Sequence, residues 1–181
     1  MTKFYLVTGN AGKLAQYKRL LPSDIEFEPI DLDLPEIQSL DSEVLITDKA
    51  KRAYQIVQKP VVIEDVAAGL TALNGLPGPF IKFFEQRLGA DALAQLATTQ
   101  PAQATVSCTI GFYDGSSLLI ARGTVKGTVV PARGSNGFGF DSCFVPDGQT
   151  KTFAEMTNGE KDAISHRSLA VLDLLARLKD L

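Results

Sequence analysis

From Lys3 to Leu73 the apolar residues switch repeatedly between a strand period and a helix period, with glycine, proline or an acidic loop at the changes. That alternation is the tightest constraint on the fold. KFYLVT, residues 3–8, is a short β-branched and aromatic run that ends at Gly9-Asn10 and predicts a buried strand followed by a turn. From Ala11 the positions Leu14, Tyr17, Leu20 and Leu21 recur at helical spacing, with Asn10 placed to cap the helix and Pro22 to stop it. IEFEPI (25–30) alternates as a strand, and the acidic LDLPEIQSLDSE after it has no period and reads as a loop. Ile46, Ala50, Ala53 and Val57 share one helical face between Glu43 and Gln58, behind a cap at Asp41 or Ser42. VVIEDVAAGLTAL then predicts a strand that leaves the core at Glu64-Asp65, bends near Gly69 and continues briefly. A β-α-β-α-β order of this kind calls for an α/β fold.

The second half is less regular. NGLPGP (74–79) reads as a constrained loop, FIKFFEQRLGADALAQLA as a helix with a glycine break, and the runs flanking Gly115 as an antiparallel hairpin. A second glycine-rich loop, ARGSNGFGFDSCF, precedes a final apolar stripe of Ile164, Val171, Leu174, Leu175 and Leu178. That stripe predicts a terminal helix of about five turns from Gly159. With 45% hydrophobic residues in 181, the chain can bury the core of one globular domain. No apolar run is long enough to span a bilayer and the N-terminus turns polar early, so the expected compartment is the cytoplasm, without membrane attachment. Two cysteines and one histidine exclude a disulfide framework and a four-ligand zinc site, which leaves oxygen ligands for any metal. A net charge of -3 argues against a nucleic acid polymer as partner. A small anionic substrate would need a local basic patch.

LVTGNAGKL (6–14) resembles a phosphate loop, but the P-loop pattern G-x-x-x-x-G-K-[ST] fails twice: Gly9 and Gly12 are too close, and Leu14 follows Lys13. What remains is a strand-to-helix turn with N–H groups at the helix start and Lys13 one turn in, which is either an anion site or an ordinary βα turn with a solvated lysine.

Five stretches occur in order: TGNAGK (8–13), LPE (34–36), GLPGPFIKFF (75–84), GFGFDSCFVPDG (137–148) and ISHR (164–167). Together they resemble the inosine triphosphate pyrophosphatase family, the non-standard purine nucleoside triphosphate pyrophosphatases, over nearly the whole chain. The resemblance implies a single domain over residues 1–181, in which a long mixed β-sheet separates two α/β lobes with a central nucleotide-binding cleft. It implies hydrolysis of ITP, dITP and XTP to the monophosphate and pyrophosphate, Mg2+ as cofactor, and a homodimer. Matched position by position, Thr8, Asn10, Lys13 and Lys49 handle phosphate and Lys82 lines the cleft. Glu36 and Asp65 match the carboxylates of magnesium and the attacking water, with Asp65 the catalytic one. Phe138 corresponds to the aromatic that stacks on the base, in a loop that also offers Phe140, while Asp141, Lys161, Ser165, His166 and Arg167 match the polar set around it.

The residues by themselves leave alternatives open. Adjacent strand residues point to opposite faces, so only one of Glu64 and Asp65 can readily face a substrate, and the sequence does not say which. Phe138 and Phe140 could both be packing beneath their loop. Arg167 could donate to the 6-oxo group of hypoxanthine, where adenine presents an amine. Two positions depart from the family pattern: Gln16 stands where a glutamate is usual, and Val66 where a hydroxyl is common. These departures motivate a competing reading, a nucleotide-binding module without turnover. Another is a pyrophosphatase for pyrimidine or modified nucleotides.

Overall fold

The first strand, β1 (Lys3–Val7), runs beside β2 (Glu26–Ile30) on one side and β3 (Val61–Leu70) on the other, parallel to both. Parallel neighbours need crossovers, and the helices α1 (Ala11–Leu20) and α2 (Ser42–Val57) supply them. The computed structural model describes residues 3–179. Its sheet has seven strands in the order β2-β1-β3-β5-β6-β7, where β5 is Ala102–Tyr113, β6 is Leu118–Val129 and β7 is Phe144–Pro146. The two-residue β4 (Pro77–Gly78) pairs antiparallel with β3, and β7 pairs antiparallel with β6, so the sheet is mixed as expected. Pro29 is tolerated because β2 is an edge strand, where a missing N–H breaks no ladder.

The chain forms two compact units. Unit 1 comprises residues 1–65, 108–123 and 167–181; unit 2 comprises 66–107 and 124–166. Each has its own core. In unit 1, Ile46, Ala50 and Ala53 of α2 pack against Val7, Val61 and Ile63 of the strands, the stripe that the helical spacing foretold. In unit 2, Leu70, Val106 and Val129 meet Phe140, Phe144 and Phe153. Fully burying one such side chain is worth about 1.5–3 kcal/mol.

Three local features differ from expectation. β3 does not continue past its bend: residues Thr71–Leu73 form a 3-10 turn and the chain folds back so tightly that a Cβ at Gly69 would lie 1.8 Å from the Gly75 carbonyl oxygen. Only glycine fits there. The helix after the NGLPGP loop divides at Gly89 (φ 95°) into α3 (Ile81–Leu88) and α4 (Ala92–Leu96), as the glycine break implied. The terminal helix, however, is two helices. Ser165 adopts an extended conformation (φ -72°, ψ 154°), ending α5 (Asn158–Ile164) before α6 (His166–Leu178) begins. Serine favours a position just ahead of a helix, and the apolar stripe alone concealed that break.

Candidate active site

The β1–α1 turn is built by its own side chains. The Asn10 backbone N–H donates to Thr8 Oγ1 at 3.1 Å, and the Lys13 N–H donates to Asn10 Oδ1 at 3.0 Å. Asn10 is therefore the helix cap, an interaction worth about 1 kcal/mol. It holds the start of α1 in register with the end of β1, and Lys13 projects from that first turn with its side chain 22% exposed.

Glu64 and Asp65, neighbours on β3, have different surroundings. Glu64 is saturated: Oε1 accepts from Lys13 Nζ at 3.0 Å and Arg167 Nη2 at 2.9 Å, while Oε2 accepts from Arg167 Nε at 2.9 Å and from the Cys108 thiol at 3.6 Å. Burial alone would raise its pKa, yet the Arg167 guanidinium and the Lys13 ammonium hold it well below the usual carboxylate range. Burial, and then the Glu64 charge, push the Tyr17 hydroxyl and the Cys108 thiol upward, so both stay neutral beside it. Asp65 instead pairs through Oδ1 with Lys49 Nζ at 3.0 Å, and the same ammonium lies 3.0 Å from Glu36 Oε1. Asp65 Oδ2 is buried with no hydrogen-bond partner among the described residues. Burial raises the Asp65 pKa from its ordinary value against the opposing pull of Lys49. Lys49, although desolvation lowers it, is held above the ordinary lysine value by Asp65 and Glu36.

An unpaired buried carboxylate oxygen costs free energy unless a proton, a water or a cation meets it. Among the described residues no group of three or more acids, histidines and cysteines gathers. Glu36 and Asp65, spanned by one lysine, are instead the hard oxygen pair suited to a cation that completes its shell with water and phosphate.

Two of the expected binding residues are buried and engaged within the protein. Arg167, expected at the base, is 2% exposed and belongs to unit 1. It forks onto Glu64, and its Nη1 donates to the Gln16 side-chain carbonyl, so these donors are committed to protein acceptors. In this arrangement it neutralises Glu64. Phe140, offered as a second stacking aromatic, is 6% exposed and packs edge-on to Phe144 with ring centroids 6.3 Å apart, as a core residue of unit 2. Phe138 is the aromatic left at the surface of that loop, 36% exposed, with Lys161 Nζ 5.4 Å from its ring centroid.

Asp141 and Lys161 lie against Phe138. Asp141 Oδ2 accepts from the Phe138 N–H within the loop at 2.8 Å and also from Lys161 Nζ of α5. His166 lies with its ring centroid 5.7 Å from Phe140 and 5.9 Å from Phe153, and Ser165 is fully buried at the α5–α6 break. Lys82 stands in the first turn of α3, exposed. Thus Thr8, Asn10, Lys13, Glu36, Lys49, Asp65 and Arg167 fall in unit 1, whereas Lys82, Phe138, Phe140, Asp141, Lys161, Ser165 and His166 fall in unit 2.

The match extends along nearly the whole sequence: the protein-family model of the Ham1 family covers residues 4–177. The chain belongs to the Ham1 family. It is 44% identical over 173 residues to the inosine triphosphate pyrophosphatase of Schizosaccharomyces pombe, covering 93% of this chain and 90% of that one. With the inosine triphosphate pyrophosphatase of Yarrowia lipolytica it shares 47% identity over 169 residues, 91% of this chain and 89% of the other. Among solved structures, a HAM1 protein from Coxiella burnetii superposes with a TM-score of 0.83 at 29% identity, covering 100% of both chains. In this Ham1 chain the two departures from the family pattern have structural occupations. Gln16 holds Arg167, and Val66 packs against the unit 2 core. Reading the sequence missed the Glu64–Arg167 pair because its members are 103 residues apart with no local pattern joining them. It also missed Asn136, whose Nδ2 donates to the Met156 carbonyl at 2.8 Å and whose Oδ1 accepts from the Gly137 N–H, anchoring the base of the Phe138 loop.

Proposed function

We propose that this protein is a pyrophosphate-releasing hydrolase of ITP, dITP and XTP, and that it removes deaminated purine nucleotides. The observation that carries the chemistry is the buried, unpartnered Asp65 Oδ2 beside Lys49. A water donating to that oxygen is oriented by it and gives up its proton to the carboxylate. The water oxygen bonds to phosphorus, and the P–O bond between the α and β phosphates breaks to free pyrophosphate. The raised pKa of Asp65 strengthens it as a base. Lys13 and Lys49, with the N–H groups that start α1, neutralise the triphosphate in an otherwise acidic protein. Glu36 and Asp65 would hold Mg2+, which supplies Lewis-acid neutralisation of phosphate oxygens when bound. Phe138 offers its face to the purine, and Asp141, Lys161, Ser165 and His166 supply the polar groups around it. Lys82 adds positive charge for the phosphates.

The test is pyrophosphate release with Mg2+ from ITP, dITP, XTP, GTP, dTTP and ATP. Release from the first three, with the others slow, is expected. Preference for dTTP would favour a pyrimidine enzyme, and tight ITP binding without release would favour a module without turnover. Gln16 and Val66, the departures that motivate that last reading, are engaged in a hydrogen bond to Arg167 and in core packing respectively. A homodimer in the cytoplasm is part of the proposal. No helix among the described residues is long and apolar enough to cross a membrane.

Gln16→Glu gives a sharper check on the metal pair. Because the Gln16 carbonyl is turned to Arg167, the Mg2+ concentration for half-maximal rate is expected to change by less than about twofold, below the tenfold that 1.4 kcal/mol would give. Titration of Mg2+ at saturating ITP measures it. A tenfold drop would mean that the side chain at 16 turns to the cation instead.

A further inference from the structure

α3 carries, three residues after Lys82 and hence on the same helical face, a glutamate that the reaction above does not use. Glu85 Oε1 accepts from the Phe140 backbone N–H at 2.9 Å. That N–H is one of the open donors at the start of the 3-10 turn Gly139–Ser142, directly after the exposed Phe138. The preceding donor, the Phe138 N–H, is met by Asp141 Oδ2, which also takes Lys161. Two carboxylates thus hold alternate N–H groups of one short turn, Asp141 from within the loop and Glu85 from α3. Gly139 makes the second approach possible. Its φ is +58°, in the left-handed region, and a Cβ there would lie 2.6 Å from Glu85 Oε1.

We propose that Glu85 is a positioning residue for base recognition: it pins the Gly139–Ser142 turn to α3 and so fixes the orientation of the Phe138 ring. This rests on the reading of Phe138 as the purine platform. A stacking face contributes only if it is held before the ligand arrives, because ordering a free loop would be charged against binding. A carboxylate accepting from a backbone N–H is a strong tether, whereas an amide at the same place keeps an acceptor but not the charge. Removing the side chain frees the turn while Lys13, Lys49 and the Glu36–Asp65 pair keep their partners.

The experiment compares the whole protein with Glu85→Ala and Glu85→Gln by calorimetric titration with IMP, which carries the base, and with inorganic tripolyphosphate, which does not. Amide hydrogen exchange at Phe140 is followed in the same samples. Glu85→Ala is expected to weaken IMP about tenfold, or about 1.4 kcal/mol, to leave tripolyphosphate unchanged, and to speed exchange at Phe140. Glu85→Gln is expected to restore most of both. Equal loss for the two ligands, unchanged IMP affinity in Glu85→Ala, or a Glu85→Gln variant as weak as Glu85→Ala would each overturn the positioning role. Failure of the unaltered protein to bind IMP while it binds tripolyphosphate would overturn the purine reading itself, whatever the exchange rates show.

Discussion

Asp65→Asn is expected to lower kcat for ITP by about 10²- to 10⁴-fold, the range for losing a positioned general base. The asparagine keeps an oxygen for Lys49, so the lysine stays in place and the triphosphate still meets its positive charge. ITP affinity should therefore stay within about tenfold, and the loss should appear in kcat rather than in KM. Single-turnover pyrophosphate release with saturating enzyme separates these quantities. Turnover within a few-fold of the unaltered protein would move the base elsewhere, and the saturated hydrogen bonding of Glu64 makes that neighbour a poor replacement.

Arg167→Met is expected to produce the largest loss of stability. The variant leaves the Glu64 carboxylate buried with Lys13 as its remaining cation, and breaking a buried pair from one side costs about 3–5 kcal/mol. In a chain of this size that lowers Tm by about 6–20 °C. The pH dependence follows from the direction of the Glu64 shift. Its folded pKa lies below the unfolded value of 4.5, so the pair's contribution is complete above pH 4.5 and is lost as the pH falls through the folded value. The Tm difference between the two proteins should be widest near neutrality and narrow in acid. A Tm loss of less than about 2 °C, joined to a changed ratio of ITP to ATP hydrolysis, would return Arg167 to the base, where the resemblance had placed it.

The legible parts of this protein were those in which cause and effect lie close along the chain. Asn10, Gly9 and the stripe through Tyr17 dictate strand, turn and helix within a dozen residues, and Asp41 starts α2 as its spacing implied. Ser165 escaped because the apolar stripe runs unbroken through the α5–α6 junction, and a cap outweighs a stripe only locally. The site was harder. A motif gives the identity of a side chain but not the direction of its donors, and Arg167 sits in the expected stretch while turning its guanidinium to a strand residue 103 positions earlier. Phe138 and Phe140 are alike in sequence, and only the 3-10 turn through Gly139 sends one outward and the other into the core. Glu85 had a faint signal, its spacing of three from Lys82, but nothing in the sequence announces an acceptor for a backbone donor 55 residues away.

The boundary between the compact units falls between Asp65 and Val66, in the middle of β3, and again within β5 and β6. Neither unit is a continuous stretch of chain, since one is assembled from three segments and the other from two. The half with the proposed catalytic acid and the half with the proposed purine platform therefore cannot be traded as cassettes. A single crossover within residues 66–166 would split both, and one outside that span would split the first. If the proposed roles hold, new substrate preferences on this scaffold are left to individual replacements around residues 137–141, 161 and 85, with the other unit inherited intact.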